Sequence, residues 1–320
     1  MIARRHHYVP RCYLKGFSVA RKKSRQVVVF DCKSGKSFAT ATENIAVEKD
    51  FNRVEIEGDP PDVFEKAMSE FESEVASALE RTIAAKSIRQ VDDQAYLFNL
   101  IGLLALRNPG QRERWRDFRE QMAKRIMDLA SATPARWASQ VAQAKTAGVI
   151  SKDADASYAE VRKMVVDDEY AIEVSREEHI SKEMQSLDTI LPYIFERKWA
   201  LLKCQDNSGG FVTSDHPVCL MWSDARRRRP VGFGLRGTEI VFPICSRLAI
   251  VGAFEIQEHE MDASEELVAA INGTLIQYAD RHVYARDYNF HYALVFGESP
   301  RKGSKLIDDR RLKKQAQEEE

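Results

Sequence analysis

The sequence of 320 residues predicts an α+β fold, in which a mixed, mostly antiparallel sheet is built from the N- and C-terminal segments. A helical middle region is expected to pack on that sheet. Three observations predict it: residues 1–58 contain short β-branched runs, residues 62–195 repeat apolar residues at helical spacing, and residues 198–297 return to strand patterns. We therefore expect a single α+β domain over residues 1–299 and a charged, disordered tail at residues 300–320.

The N-terminal segment contains the pattern of a β-hairpin. A β-branched run extends from Arg25 to Asp31, a Ser-Gly turn follows, and a second run extends from Ser37 to Thr42. The prolines Pro60 and Pro61 then end the strand-rich segment.

Helical periodicity begins at Asp62, which follows two prolines and is placed to cap the first helix. A second helix, from Asp92 to Leu106, is apolar on most sides, which predicts a buried helix. The rest of the middle region is predicted to form a charged, solvated helix, an insertion of weaker periodicity and a last helix, at residues 111–132, 133–168 and 175–195.

The C-terminal segment returns to strands that are separated by turns. Paired strands are predicted on either side of a Gly-Gly turn and again further along the chain, at residues 199–204 and 211–213 and at residues 239–243 and 248–251. Ser264 is placed to cap a helix that reaches Tyr278. Closing strands are expected at residues 282–285 and 291–296.

Composition excludes several classes of protein. Hydrophobic residues make up 44% of the chain, which argues against a disordered protein, and no apolar run reaches the roughly 18 residues of a membrane span. The 48 basic and 49 acidic residues give a net charge of −1, so no global basic field points to nucleic acid. A local basic groove stays compatible with this balance.

The five cysteines are predicted to be reduced and structural. Their number is odd, and no C-x-x-C pair or zinc-ligand spacing occurs. The N-terminus lacks the apolar stretch of a secretory signal, so we expect a cytoplasmic protein. No phosphate-binding glycine loop is present, and no organic cofactor is indicated.

Several motifs resemble those of a bacterial family known only as domain of unknown function 4238. The opening His7-Tyr8-Val9-Pro10 with Tyr13-Leu14 and Phe17 resembles its start, and Phe211-Val-Thr-Ser-Asp-His-Pro-Val218 resembles a later motif. Weaker matches are spread along the chain, at Glu65 and Glu72, at Arg107-Asn108-Pro109, at Phe242-Pro243 and at Asn272. The likeness covers residues 6–285. It departs at Phe51-Asn52, where the family more often has Phe-Tyr. The family name implies no reaction.

Two motif residues are candidates for catalysis, and each has an alternative structural interpretation. His7 and its neighbour His6 should face opposite sides of a strand, and His7, which matches the family histidine, is the predicted catalytic residue. It can equally anchor the N-terminus through a backbone carbonyl. Asp215 follows a strand and can bind a divalent metal, with Ser214 as a substrate contact, or the two can form a turn.

A carboxylate and several arginines complete the predicted site. Glu72 shares a helix face with Glu65, where a carboxylate can be a solvated rim residue or an inward charge. The resemblance favours the inward role for Glu72, which we expect to be catalytic and to bind metal together with Asp215. Arg107 can hold phosphate, cap its helix or form a buried ion pair. Arg226, Arg227 and Arg228, followed by Arg229, form the densest basic run, and a second run covers residues 21–25. Either run can be a solvated loop or contact phosphate, and phosphate contact is the expected role of the arginine run, because four arginines in a row exceed what solubility needs.

These residues support functions of different classes. The first is a phosphodiester or nucleotide hydrolase that uses Mg²⁺ or Mn²⁺, with phage defence or a toxin-like effector as its setting. The second is a non-catalytic sensor or effector that binds nucleic acid or a protein, in which the same motifs are structural. A cofactor-dependent enzyme for small molecules ranks last because no cofactor fingerprint is present.

Overall fold

The computed structural model describes residues 4–21, 24–154, 157–224, 226–295, 297–309 and 311–312. Antiparallel and mixed sheets form at the two ends of the chain and helices fill the middle, which confirms the α+β class. The helices are α1 Arg11–Leu14, α2 Val63–Ala85, α3 Val91–Leu106, α4 Pro109–Ala130, α5 Pro134–Thr146, α6 Tyr158–Val166, α7 Arg176–Glu196 and α8 Glu265–Tyr278. The strands are β1 Arg5–His7, β2 Val19–Arg21, β3 Ser24–Asp31, β4 Lys36–Ala41, β5 Val47–Lys49, β6 Lys198–Cys204, β7 Thr213–Ser214, β8 Cys219–Trp222, β9 Thr238–Cys245, β10 Leu248–Ala253, β11 His259–Ala263, β12 His282–Ala285, β13 His291–Tyr292 and β14 Arg301–Lys302.

The chain divides into two compact units, where the sequence predicts a single domain. The first unit consists of Met1–Asn108 and Ile180–Glu320, and the second of Pro109–His179. In the second unit, α4, α5 and α6 contain no fully buried residue among those described. Ion pairs join its elements instead, such as Arg162 with Asp128 at 2.7 Å. Residues 133–168 have only weak apolar periodicity, which agrees with the lack of fully buried residues in the described helices of this unit.

One sheet joins the two ends of the chain, as predicted. Strand β3 pairs antiparallel with β2, β4 and β12, and β12 pairs antiparallel with β7. The register places Val28 opposite Ala285 and also opposite Ala39 of the predicted hairpin. Both faces of β3 are buried, because Val27 and Val29 enter one apolar cluster while Val28 and Phe30 enter another.

The other C-terminal strands form a second sheet, where the sequence predicts one. Its order is β11-β6-β10-β9-β8 among the described residues, and only the β11–β6 pairing of that sheet is parallel. In the first sheet β3 takes β12 as its neighbour, while in the second β6, β9 and β10 pair with one another. Alternate residues of β10 enter different apolar clusters, with Ile250 in the first and Ala249 in the second.

Helices cover the apolar clusters on both sides of the sheets. Residues of α2 and α3 enter the first cluster, and Leu100 and Ile101 of α3 are fully buried, as predicted for this helix. Helix α8 supplies Val268 and Leu275 to the second cluster. Its predicted cap is present, since Ser264 Oγ accepts the N–H of Leu267 at 3.3 Å.

The C-terminal tail is ordered where it is described, which differs from the predicted disorder. Strand β14 pairs with β13, and Leu306 is fully buried. Asp309 binds Arg311 at 2.7 Å and accepts the hydroxyl of Tyr292 at 3.1 Å. Arg301, Asp309 and Arg311 of the described tail are therefore paired rather than only solvated. The predicted strand at residues 291–296 extends over His291–Tyr292; Phe296, residue 310 and residues 313–320 lie outside the described part.

Two general features bear on the class of protein. Among the residues that the structure describes, none of the helices combines the length and the hydrophobicity that a membrane span requires. All five cysteines are free thiols, and Cys219 and Cys245 are buried.

Candidate functional site

Tyr13 joins three of the sequence motifs. Its hydroxyl donates to the carbonyl oxygen of Pro243 at 2.8 Å and lies 2.8 Å from Oγ1 of Thr213. The ring stacks on Phe242, with 5.2 Å between the ring centroids. The N-terminal motif is thereby fixed against β9, in the second sheet, and β7, in the first.

Gly16 allows this segment to approach the turn after β9 closely. The N–H of Ser246 donates to the Gly16 carbonyl oxygen at 3.0 Å. A Cβ atom at Gly16 would lie 2.9 Å from Cβ of Cys245, which is closer than side chains tolerate. The glycine therefore reflects close packing between two backbones.

Asn272, another motif residue, is a structural contact. Its side-chain amide donates to the carbonyl oxygens of Gly210 at 2.9 Å and His291 at 2.7 Å, and its Oδ1 accepts the N–H of Val212 at 2.9 Å. It therefore ties α8 to the segment before β7 and to β13.

A connected polar group near the N-terminus is the His6 cluster, which we define as His6, Asn52, Glu65 and Arg107. His6 is buried, and its Nδ1 accepts the backbone N–H of Asn52 at 2.8 Å and lies 3.9 Å from Oε2 of Glu65. The side chain of Asn52 donates to Glu65 and accepts from Arg107. Asn52, at a position where this chain departs from the family pattern, therefore makes the central contacts of this cluster.

Arg107 is almost fully buried at the end of α3. Its guanidinium lies 5.4 Å from the ring centroid of Phe51 and 5.7 Å from that of Phe64. A buried charge requires partners, and here a side-chain oxygen and two aromatic faces supply them. Of the three roles that the sequence leaves open, these contacts favour a structural one, although the charge also acts on Glu72.

Glu72 carries the feature most typical of a catalytic group. Burial raises the pKa of this carboxyl to about 7, Arg107 opposes the rise, and Glu65 adds to it. A carboxyl group with such a pKa exchanges protons at neutral pH. Its charge also acts on the Cys12 thiol, whose pKa burial raises to about 12.

His7 is on the opposite side of β1 from His6, as strand alternation predicts. Burial lowers the pKa of His7 to about 4, and a hydrogen bond with the backbone of Thr42 opposes this change. Its Nε2 is buried without a hydrogen-bond partner among the described residues. The contact with Thr42 fits the anchoring role, and His6 rather than His7 shares a cluster with Glu65.

Asp215 is held by backbone groups. Its carboxylate accepts the N–H groups of Asp280 at 2.9 Å, Arg281 at 2.9 Å and His282 at 2.8 Å. Burial raises the pKa of Asp215 to about 7, and the three donors act in the opposite direction. Ser214 accepts the N–H of His216 at 3.1 Å. These contacts match the turn interpretation of the motif.

A second charged group adjoins Asp215. The imidazole of His282 lies 3.8 Å from Asp215 and 3.7 Å from Asp31, and Asp31 binds Arg281 at 2.7 Å. This group ties β3 to β12 and holds the pKa of Asp31 well below its usual range through Arg281 and Ser34, against burial.

The donor set does not fit the predicted metal site. Both oxygens of Asp215 accept backbone N–H groups, and Glu72 shares its surroundings with Arg107 and Glu65 rather than with Asp215. Within the described residues, no three His, Cys, Asp or Glu side chains gather as metal ligands. Mg²⁺ and Mn²⁺ require several oxygen ligands in one place.

A polar opening near Glu72 is the basic groove, a cavity of about 500 Å³ between α2, the segment after α1 and the turn after β9. Four cations and one carboxylate line it, namely Lys15, Arg25, Arg247, Arg286 and Glu80. Cys12 and Ala76 line it as well, and Glu72 precedes Ala76 by one turn of α2. Glu72 is therefore placed next to the Cys12 end of the groove.

The cations of the basic groove differ in how they are held. Arg25 donates to Oγ of Ser18 at 2.8 Å, and Arg247 forms an ion pair with Asp206. Lys15 and Arg286 form no ion pair within the described part of the chain and are exposed. They are the two cations most available to an anionic ligand.

The arginine run after β8 lies apart from this groove. Arg226 binds Asp224 at 2.9 Å, and Arg227 lies 4.9 Å from the ring centroid of Trp222 and lines a different cavity. Arg228 is exposed. Of the second basic run, Arg25 lines the groove, while Lys22 and Lys23 lie outside the described residues.

The structure therefore brings Glu72 and Arg107 together and leaves His7, Asp215 and the arginine run elsewhere. Sequence reasoning missed His6, Asn52, Lys15, Arg247 and Arg286 as members of clusters. Strand alternation could have suggested His6, but no local pattern marks the groove cations, since they come from segments far apart in the chain.

Comparison with known proteins identifies a family but indicates no activity. No curated protein and no solved structure matches the chain. A family model described as a protein of unknown function, DUF4238, matches residues 5–289. The match covers most of the chain and includes the motifs discussed above, so the chain belongs to the DUF4238 family.

Proposed function

We propose that the protein hydrolyses phosphodiester bonds in nucleic acid or nucleotides, with the basic groove as the phosphate site and Glu72 as the general base. One observation carries the proposal: a carboxyl group with a pKa of about 7 lies one helical turn from a groove lined by four cations. A base with a pKa near the working pH combines a usable deprotonated fraction with sufficient basicity.

The groove supports the binding step. Lys15 and Arg286 carry charges that no described carboxylate neutralises, and they would contact phosphate oxygens. Arg25 and Arg247, held by neighbouring groups, would add to the positive potential. Glu80 is the one carboxylate among the groove residues and leaves the balance strongly positive.

Glu72 supports the chemical step. The ionised carboxylate would take a proton from water while the water oxygen bonds to phosphorus and the P–O ester bond breaks; the departing alkoxide then takes a proton from solvent. Arg107 favours the ionised form of Glu72 and so keeps the base available near pH 7. We assign no step to a metal ion, because the donor set does not fit one.

A second candidate is a non-catalytic protein that binds nucleic acid or a partner protein. The contacts of Asp215 favour it, since this motif residue binds three backbone N–H groups. The same groove would then serve binding alone.

The five free thiols support a cytoplasmic location for either function, because thiols stay reduced there.

The test is to incubate the full chain with labelled single-stranded DNA, RNA and nucleotides, in EDTA and separately with Mg²⁺ or Mn²⁺. We expect cleavage by the wild type in EDTA, and a loss of about 100-fold or more in Glu72→Gln without loss of binding. Glu74→Gln is the matched control, since Glu74 is an exposed residue of the same helix. Salt-dependent binding without cleavage would support the second candidate, and the absence of both would exclude hydrolysis and nucleic-acid binding.

A further inference from the structure

A second cavity, of about 370 Å³, lies where β9 begins and β10 ends, away from the basic groove. Two arginines and two glutamates line it, namely Arg227, Arg236, Glu239 and Glu255. Its volume falls in the range of small-molecule sites, about 300–1,000 Å³. The remaining lining is small or apolar and includes Gly237, Ala253 and Ile256.

The opposite charges of this cavity do not neutralise one another. None of its arginines forms an ion pair within 4.0 Å with a carboxylate of the described residues. The guanidinium of Arg227 lies instead 4.9 Å from the ring centroid of Trp222, and that of Arg236 lies 5.7 Å from the ring centroid of Phe254. Aromatic faces hold the two cations in place and leave their N–H groups available.

The two carboxylates are also held in place. Oε1 of Glu255 accepts the N–H of Gly237 at 3.1 Å, and Glu239 belongs to β9 and is half-buried. Burial raises the pKa of Glu239, and the nearby Arg197 opposes this rise. Arg197 itself is fully buried and donates to the carbonyl oxygens of Thr238 and Gly252, and its charge acts on both glutamates.

We propose that this cavity binds a small zwitterion, a free α-amino acid, with its carboxylate at Arg227 and Arg236 and its ammonium group at Glu239 and Glu255. A ligand that carries both charges satisfies both pairs at once. A phosphate ion would approach two carboxylates, and a simple cation would approach two guanidinium groups. Each of these would meet repulsion that the zwitterion avoids.

The experiment measures binding of the standard amino acids to the full chain by calorimetry, followed by the N-acetyl and amide derivatives of the best binder. At least one amino acid should bind, and each derivative should bind about tenfold more weakly or worse, because each lacks one charge-assisted contact. Inorganic phosphate serves as the anion probe.

Variants assign the binding to this cavity. Arg236→Met and Glu239→Gln should each weaken binding about tenfold or more, while Glu258→Gln, at an exposed glutamate outside the cavity, should not change it. A melting curve of each variant confirms that it is folded. The proposal is overturned if no amino acid binds below about 1 mM, if phosphate binds there more tightly, or if both folded variants bind like the wild type. None of these results depends on hydrolytic activity.

Discussion

Asp215 and His282 exchange hydrogen bonds across the last pairing of the first sheet. The N–H of Asp215 donates to the carbonyl oxygen of His282 at 3.0 Å, and the N–H of His282 donates to the Asp215 carboxylate at 2.8 Å. The same carboxylate accepts two further backbone N–H groups. The residue that the sequence presents as a catalytic candidate therefore also completes the turn that leads into β12.

Asp215→Asn should lower the free energy of unfolding by about 2–3 kcal/mol at pH 5, below the folded pKa of Asp215 of about 7, because the NH₂ side of the amide is a donor and cannot accept all three backbone N–H groups. Urea unfolding followed by circular dichroism measures this. Asp287→Asn is the control, since Asp287 accepts a single exposed N–H, and should change stability by less than about 0.5 kcal/mol. A fully stable Asp215→Asn that has lost hydrolysis would instead assign Asp215 to the site.

Glu72 should make stability depend on pH. Its folded pKa of about 7 lies above its ordinary value of 4.5, so the folded state binds the proton more tightly. The stabilising contribution is fully present below pH 4.5 and is lost as pH rises through 7, by up to about 3 kcal/mol.

The comparison of wild type with Glu72→Gln isolates this effect, because other groups titrate alike in both proteins. The difference between their free energies of unfolding should shift against the wild type between pH 5 and pH 8. A difference that stays constant over this range would mean that Glu72 has an ordinary pKa.

If nucleic acid binds in the basic groove, the groove cations that form no ion pair should determine how strongly binding depends on salt concentration. Removing both with Lys15→Met and Arg286→Met should reduce the slope of log affinity against log salt by about 0.7 for each cation on single strands. Fluorescence anisotropy with labelled oligonucleotides measures the slope. Lys36→Met, at an exposed lysine outside the groove, should leave it unchanged. Equal slopes in wild type and double variant would remove the groove from the binding surface.

Tyr13→Phe should destabilise the protein by about 1–2 kcal/mol, because the buried Pro243 carbonyl loses its donor while the ring still packs. Thermal unfolding measures the change. Tyr288→Phe is the control, since the Tyr288 hydroxyl makes an exposed contact of 3.4 Å with Ser37. Equal melting temperatures in Tyr13→Phe and wild type would show that the hydroxyl does not stabilise the motif.

Local sequence patterns predicted the individual helices and strands well, but they could not predict which distant strands pair. The hairpin of β3 and β4, the buried helix α3 and the Ser264 cap follow from residues close together in sequence. The division into two sheets depends on β3 pairing with β12, more than 250 residues later, as in the register of Phe30 with Val283. Periodicity cannot choose between strand partners at that distance.

The candidate site was predicted in part for the same reason. The family resemblance singled out Glu72 on its helix face, but the pKa of Glu72 depends on burial and on Arg107, which belongs to another helix. Strand alternation showed that His6 and His7 face opposite sides of β1. The contact with Asn52 shows that His6 is the one on the side of the His6 cluster. Lys15 and Arg286 become neighbours of one groove only after both ends of the chain have folded.

The position of β3 between β4 and β12 has a consequence for synthesis on the ribosome. The hairpin can form early, but the edge of β3 that receives β12 stays unpaired until residue 285 has been translated. During that interval a β-branched edge with two apolar faces is open to pairing with other chains. The yield of folded protein should therefore depend on the rate of translation and on the supply of chaperones.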